Sequence, residues 1–379
     1  MSRISIRFLF IFSCIIFSGA FAQAAGKTEN VILISLDGMR WQEVFNGFDK
    51  RFLDQEEYAK YHYTYADFKN KFWDNNPEAA RKKLFPFLWT TVATKGQLYG
   101  NREKGSNANI TNSYHFSYPG YNEILTGFAD PRINSNDKVL NPNKTFLEWL
   151  DEMPDYKGKT AAFASWDVFP YIINQQRSHV FLNAGFDDMT PLNDRVKVLN
   201  KLQQDTPSPW DSVRMDAFTY NFATEYMKAN HPKALYISFG ETDDFAHDGF
   251  YDQYMLAAHR ADDFIGRIWQ FVQNDPQYKD KTTLLVTTDH GRGDDSLESW
   301  KSHGAHEGPN GNVAYFSGDD QIWMAVIGPD TPASGEMKNT DDVKQAQIAA
   351  TLMKLLGLDY QGTHESLKAG KPIEAMIKK

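Results

Sequence analysis

Apolar runs of strand length recur along the chain: within Asn30–Met39, at Ala161–Ala164 inside Thr160–Phe169, at Ala234–Phe239, at Leu284–Thr288 and at Ile322–Ile327. They are continuous rather than alternating, the pattern of parallel strands covered on both faces. Between them lie stretches with apolar residues at steps of three and four. In Asp252–Gln273 these are Ala258, Ala261, Ile265, Ile268 and Val272, which predicts a helix packing one stripe on a sheet. Further helices are expected over Thr145–Met153 and Ser212–Lys228. Near the C-terminus Thr340 reads as a cap, Asp341 and Asp342 as a first turn, and Gly357 as the stop beyond Ile348, Leu352 and Leu355. Strands alternating with helices predict an α/β fold, a mainly parallel central sheet with helices on both faces. Residues 25–379 read as one domain, and two irregular stretches, about 41–113 and 174–211, read as cap insertions on it. Short helices are expected near Leu53–Tyr61 and Pro77–Lys83, and a crossover helix near Phe85–Thr94.

The first 24 residues break this pattern. Arg3 and Arg7 precede an apolar run from Phe8 to Phe17, and small residues follow at Ala20, Ala22 and Ala24, the layout of a secretory signal peptide. The run is shorter than a membrane-spanning helix requires, and no later run reaches membrane length, so no membrane anchor is expected after cleavage. A periplasmic or secreted protein follows. Its only cysteine, Cys14, lies in the removed segment, which excludes disulfides and thiolate chemistry from the mature chain. Loss of Arg3 and Arg7 moves the formal charge from −9 to −11, so a nucleic-acid-binding surface is not expected.

Chemistry collects where the apolar runs stop. The first ends in Asp37-Gly38 and the fourth in Asp289-His290-Gly291. Behind Ala234–Phe239, Asp243 and His247 stand four apart, on one face if a helical turn forms there. Ser117, before Pro119 and a short helix closed by Gly127, sits where helix N–H groups favour an anion. His303 and His306 follow in the loop after Asp289-His290. Each group alone reads equally as a turn, a cap or a solvated loop. Together, beyond the carboxyl ends of strands in an α/β sheet, they form a nitrogen and oxygen donor set suited to two divalent ions, Zn²⁺ first.

In order and spacing, Asp37, Ser117, Asp243-Asp244-Phe245-Ala246-His247, Asp289-His290-Gly291 and His303-Gly304 resemble the alkaline phosphatase superfamily, particularly its nucleotide pyrophosphatase/phosphodiesterase branch, over most of the mature chain. The resemblance implies that Asp243, His247 and His303 hold one metal ion and that Asp37, Asp289 and His290 hold the second. Ser117 would touch the second ion and act as the nucleophile. The implied function is an exported two-metal hydrolase of small-molecule phosphate esters, diesters or pyrophosphates ahead of monoesters, working through a phosphoserine intermediate. The His-Gly pair favours His303 over His306, and the spacing favours Asp243 over Asp244. Ser117-Tyr118-Pro119-Gly120-Tyr121 also resembles the sulfatase signature, which needs an arginine where Tyr121 stands. A sulfatase or phosphonate-ester hydrolase of the same superfamily is therefore the alternative, and a non-catalytic metal-bearing binding protein a further one. Arg40, Arg292, Lys301 and Trp166 read as rim or surface residues.

Overall fold

The computed structural model describes residues 26–61, 64–308, 311–360, 362–364 and 367–378; the expected signal peptide with Cys14 lies outside them. The strands are β1 (Asn30–Leu36), β2 (Gln97–Tyr99), β3 (Ala108–Asn109), β4 (Thr160–Ala164), β5 (Phe181–Ala184), β6 (Ala234–Phe239), β7 (Thr282–Thr287), β8 (Ala305–Glu307), β9 (Val313–Tyr315), β10 (Met324–Ile327), β11 (Gly335–Glu336), β12 (Val343–Lys344), β13 (Thr363–His364) and β14 (Leu367–Lys368). Eight of them form one sheet in the order β11-β2-β10-β7-β1-β6-β4-β5. Only β10 runs against its neighbours, β7 and β2; the remaining pairings are parallel. This is the mainly parallel α/β architecture that the apolar runs predict.

Alternate residues of β1 enter different cores, Ile32 and Ile34 on one face of the sheet, Val31 and Leu33 on the other. The helices are α1 (Trp41–Asn46), α2 (Tyr65–Phe72), α3 (Pro77–Leu84), α4 (Ala93–Lys95), α5 (Ser117–Thr126), α6 (Phe146–Asp151), α7 (Phe169–Ile172), α8 (Asp194–Asp205), α9 (Asp216–Asn230), α10 (Glu241–His247), α11 (Tyr251–Asn274) and α12 (Ile348–Leu355). The stripe of α11, with Phe222 and Met227 of α9, packs into the first core. Tyr121 and Ile124 of α5, Leu147 of α6 and Leu352 of α12 pack into the second. No described helix is long and apolar enough to cross a membrane.

Three local readings change. The strands β2 and β5 lie inside the stretches 41–113 and 174–211, yet both belong to the central sheet, so those stretches are not wholly insertions. Strands of three and four residues are too short to stand out as apolar runs. The expected crossover helix is a π-helical turn, Leu88–Val92, running into α4. Thr340 caps no helix: its hydroxyl meets Ser106 at 3.3 Å, and Val343–Lys344 pairs with β3 instead. The final helix α12 begins at Ile348, after a 3₁₀ turn over Gln345–Gln347. Here the backbone groups near Asp341 find strand partners, which outweighs the local capping pattern.

Candidate metal centre

The central strands β7, β1 and β6 are adjacent, and Ser35 of β1 stands in register with Ser238 of β6 and with Thr287 of β7. All three strands therefore stop at one level, and the residues that follow them meet beyond the carboxyl edge. There Asp37 follows β1, Asp289-His290 follow β7, and α10 carries Asp243 and His247 directly behind β6. The Gly38 N–H donates to Asp289 Oδ1 at 3.1 Å, tying the first two ends together.

The structure brings all seven expected residues into this one place. The Nε2 of His290 lies 3.2 Å from Asp37 Oδ1 and 3.4 Å from Asp289 Oδ2. Beside it, His247 Nε2 lies 3.1 Å from Asp243 Oδ2 and 3.1 Å from His303 Nε2, which is itself 3.6 Å from Asp243 Oδ1. The two groups adjoin through the stacked rings of His290 and His303, with centroids 3.8 Å apart. Ligand atoms of Asp37, Asp289 and His290 fall within 4.8 Å of one another, as do those of Asp243, His290 and His303, so His290 lies within reach of both groups. His306 stays outside, stacked on Phe316 in the β8–β9 hairpin. Asp243 rather than Asp244 makes the contacts to His247 and His303.

Ser117 is the first residue of α5, with Phe116 at the N-cap. The helix starts two residues earlier than Pro119 suggested, because first-turn N–H groups have no intrahelical acceptor and proline costs nothing there. Ser117 Oγ lies 3.4 Å from His290 Nε2. Gly120 lets this helix close on the end of β7: a Cβ there would stand 2.4 Å from the Asp289 carbonyl oxygen. Gly120→Ala is accordingly expected to lose about 1–3 kcal/mol by overpacking, read as a lower Tm, with weaker metal binding because Asp289 is the residue displaced.

The electrostatics follow from burial. Asp289 and His290 are inaccessible to solvent, and Asp37, Ser117 and Asp243 nearly so. Burial alone would depress the His290 imidazole, but the Asp289 and Asp37 carboxylates lift it to about 10. Asp289 is pushed well above the carboxylate range by burial and by Asp37. His303 is held well below its ordinary value by burial and by the neighbouring His290. Burial opposes ionisation of Asp243, yet His247 and Arg292 hold it well below the usual range. The cluster could hold a cation: Asp37 Oδ1 and Asp289 Oδ2 are buried without a hydrogen-bond partner among the described residues. The Nδ1 atoms of His290 and His303 face the carbonyls of Gly291 at 2.8 Å and His115 at 3.0 Å, which leaves each Nε2 free to ligate. The donor set fits divalent ions with borderline ligands.

Several supporting residues escape sequence reading. Tyr121 donates its hydroxyl to Asp37 Oδ2 at 2.7 Å, so the position where a sulfatase needs arginine is taken by a residue that orients a carboxylate. Asp216 caps α10 by accepting from the N–H of Gly240 at 2.8 Å and of Glu241 at 3.2 Å, and burial with Glu241 pushes it up to about 8. Asp319 holds His115 Nδ1 at 2.6 Å and the Gly304 N–H at 2.9 Å, fixing both sides of His303. Asp216 and Asp319 neither follow an apolar run nor belong to a recognised spacing, and the spacing that contains Tyr121 gives no sign of its bond to Asp37. Arg40 and Arg292 are not rim residues: both are fully buried in ion pairs, Arg40 with Glu43 and Arg292 with Asp243. Lys301 and Trp166 are partly exposed.

This architecture is that of the alkaline phosphatase superfamily, the fold the sequence motifs imply. Among solved structures, wild-type alkaline phosphatase PafA aligns with a TM-score of 0.56 at 12% identity, over 93% of this chain and 99% of its own. A superfamily protein from Vibrio parahaemolyticus aligns with a TM-score of 0.51 at 14% identity, over 89% of this chain and 68% of its own. The phosphonate monoester hydrolase of Agrobacterium radiobacter aligns with a TM-score of 0.50 at 15% identity, over 92% of this chain and 77% of its own. No protein-family model and no curated protein matches the sequence.

Proposed function

We propose that this chain is an exported two-metal hydrolase of small-molecule phosphate esters, diesters or pyrophosphates ahead of monoesters, with Ser117 as its nucleophile. One observation carries the reading. A serine hydroxyl at a helix N-terminus stands 3.4 Å from a histidine nitrogen that also faces two buried carboxylate oxygens, neither hydrogen-bonded among the described residues, with a third aspartate and two further histidines beside it. Asp37, Asp289 and His290 would hold one divalent ion near Ser117, and Asp243, His247 and His303 a second. Such ions, Zn²⁺ by donor chemistry, supply a lowered serine pKa and stabilise charge on attacking and leaving oxygens.

The chain's own residues supply the rest. Ser117 Oγ bonds to phosphorus as its proton passes to solvent water, and the bond from phosphorus to the leaving oxygen breaks, that oxygen taking a proton from water; a second water then cleaves the serine ester, its oxygen leaving on the phosphate and one of its protons restoring the Ser117 hydroxyl. The positive end of the α5 dipole suits the non-bridging oxygens, although the Tyr118 N–H is taken by Asn136 Oδ1 at 2.9 Å and the Gly120 N–H by the Phe116 carbonyl at 3.1 Å. Tyr121 keeps Asp37 aimed inward. The preference for diesters rests on the branch whose motifs the sequence resembles.

The test assays purified protein on bis-aryl phosphate, aryl phosphate and aryl sulfate, before chelation, after it, and after Zn²⁺ is restored. Phosphate-ester turnover that disappears on chelation and returns with Zn²⁺ is the expected result. Activity indifferent to metal removal sinks the proposal. Aryl sulfate turned over faster than both phosphates moves the assignment to a sulfatase, and full metal loading without turnover of any ester leaves a metal-bearing binding protein.

A further inference from the structure

Arg292 lies two residues beyond His290, has no solvent exposure, and contacts Asp243 and His247, two of the three residues proposed above to hold the second ion. Its Nη1 donates to Asp243 Oδ1, and its Nη2 lies 3.3 Å from His247 Nδ1. We propose that Arg292 is a positioning residue that makes the two metal sites unequal, so that the Asp243–His247–His303 set binds its ion more weakly than the Asp37–Asp289–His290 set. The inference rests on the two-metal reading above.

The guanidinium is built into place. Its Nε donates to the Trp300 carbonyl at 2.7 Å and its Nη2 to the Lys301 carbonyl at 2.5 Å, so it does not swing clear of Asp243 without breaking backbone contacts. On the opposite side the turn after β1 closes on the pair: a Cβ at Gly38, whose φ is +58°, would stand 2.5 Å from Asp243 Oδ1 and 2.8 Å from Arg292 Nη1.

Two consequences weaken the same site. First, the charge of Asp243 is shared with a fixed guanidinium, whereas Asp37 and Asp289 accept neutral donors, the Tyr121 hydroxyl and the Gly38 N–H, and meet only the His290 imidazole as an ion-pair partner among the described residues. A fixed positive charge a few ångströms from a divalent ion opposes it even at an interior dielectric of about 20. Second, a histidine that ligates through Nε2 carries its proton on Nδ1 and needs an acceptor there. His290 and His303 have one, each a backbone carbonyl. His247 has a donor instead, so ligation through its Nε2 sets two N–H groups against each other.

Metal-stripped protein titrated with Zn²⁺ against a chromogenic chelator tests this without measuring catalysis. Wild type should bind two ions in steps at least tenfold apart, and His247→Ala should lose the weaker step while the tighter one stays within about threefold. Arg292→Met, checked for folding by circular dichroism, should tighten the weaker step at least tenfold. Two equal affinities in wild type, loss of the tighter step in His247→Ala, or an untightened weaker step in folded Arg292→Met would each overturn the inference while leaving the two-metal reading intact. If Arg292→Met does not fold, the His247→Ala result decides. Binding of fewer than two ions by wild type overturns the two-metal reading and this inference with it.

Discussion

Replacing Ser117 with alanine is expected to lower kcat on the preferred phosphate ester by about 10⁴-fold, roughly 5.5 kcal/mol of transition-state stabilisation at 1.36 kcal/mol per tenfold. The size follows from what the hydroxyl does in the proposed reaction. It is the atom that bonds to phosphorus, and it lies 3.4 Å from the imidazole at the centre of one metal set, so its loss removes the nucleophile and one contact to the ion together. Folding should be little affected, since the side chain is small and the first turn of α5 is met by Asn136 Oδ1, which accepts the Tyr118 N–H at 2.9 Å, rather than by Ser117. Ser117→Thr keeps a hydroxyl in a crowded place and should retain more activity than alanine. Acid quenching of wild type during turnover of labelled substrate should leave label on the peptide that contains Ser117. Turnover by Ser117→Ala within tenfold of wild type, at full Zn²⁺ loading, rules out the serine as nucleophile.

The parts of this site that are legible in sequence are those whose position depends on one strand. Asp37 and Asp289 are readable because an apolar run buried on both faces must emerge at an edge, and a carboxylate placed there has few purposes. The pair Asp243 and His247 is readable because four residues make one helical turn. His303 is readable only through its order in a family pattern, since its place is set by Asp319 and by the backbone of His115, 188 residues away. Tyr121, Asp216 and Arg292 act across tertiary contacts that no local pattern announces. The fold divides the same way. Long central strands such as β1, β6 and β7 are visible as apolar runs, while β2 and β5 at the flanks of the sheet are too short to register. Arginine at positions 40 and 292 reads as surface by base rate, and only the surrounding carboxylates make its burial tolerable.

Glu43→Ala should destabilise the protein by about 3–5 kcal/mol, because it strands the buried Arg40 beside the turn that carries Asp37. Arg40 and Glu43 are 1% and 0% exposed. Arg40 Nε donates to Glu43 Oε2 at 3.0 Å, and the Tyr251 and Tyr254 hydroxyls donate to the same carboxylate, each at 3.3 Å. The Tyr254 oxygen in turn accepts the Arg40 backbone N–H at 3.0 Å. Burial disfavours the guanidinium charge, yet Glu43 and Asp49 hold its pKa above the ordinary arginine value. Removing Glu43 leaves Asp49, 3.2 Å from Arg40, as the remaining carboxylate. Asp49 opposes burial through Arg51 and Arg40 and is held below the usual range, so the stability it contributes is present at neutral pH and lost as pH falls through its folded value. Glu43→Ala should therefore lower Tm by about 4–7 °C at neutral pH, and by more in acid. The double replacement Arg40→Met with Glu43→Leu should recover most of the loss, since an apolar pair of similar volume carries no desolvated charge. A single-variant loss under about 1 kcal/mol, or a double variant no better than the single, means that the pair does not fix this turn and that Asp37 is held by Tyr121 and the sheet alone.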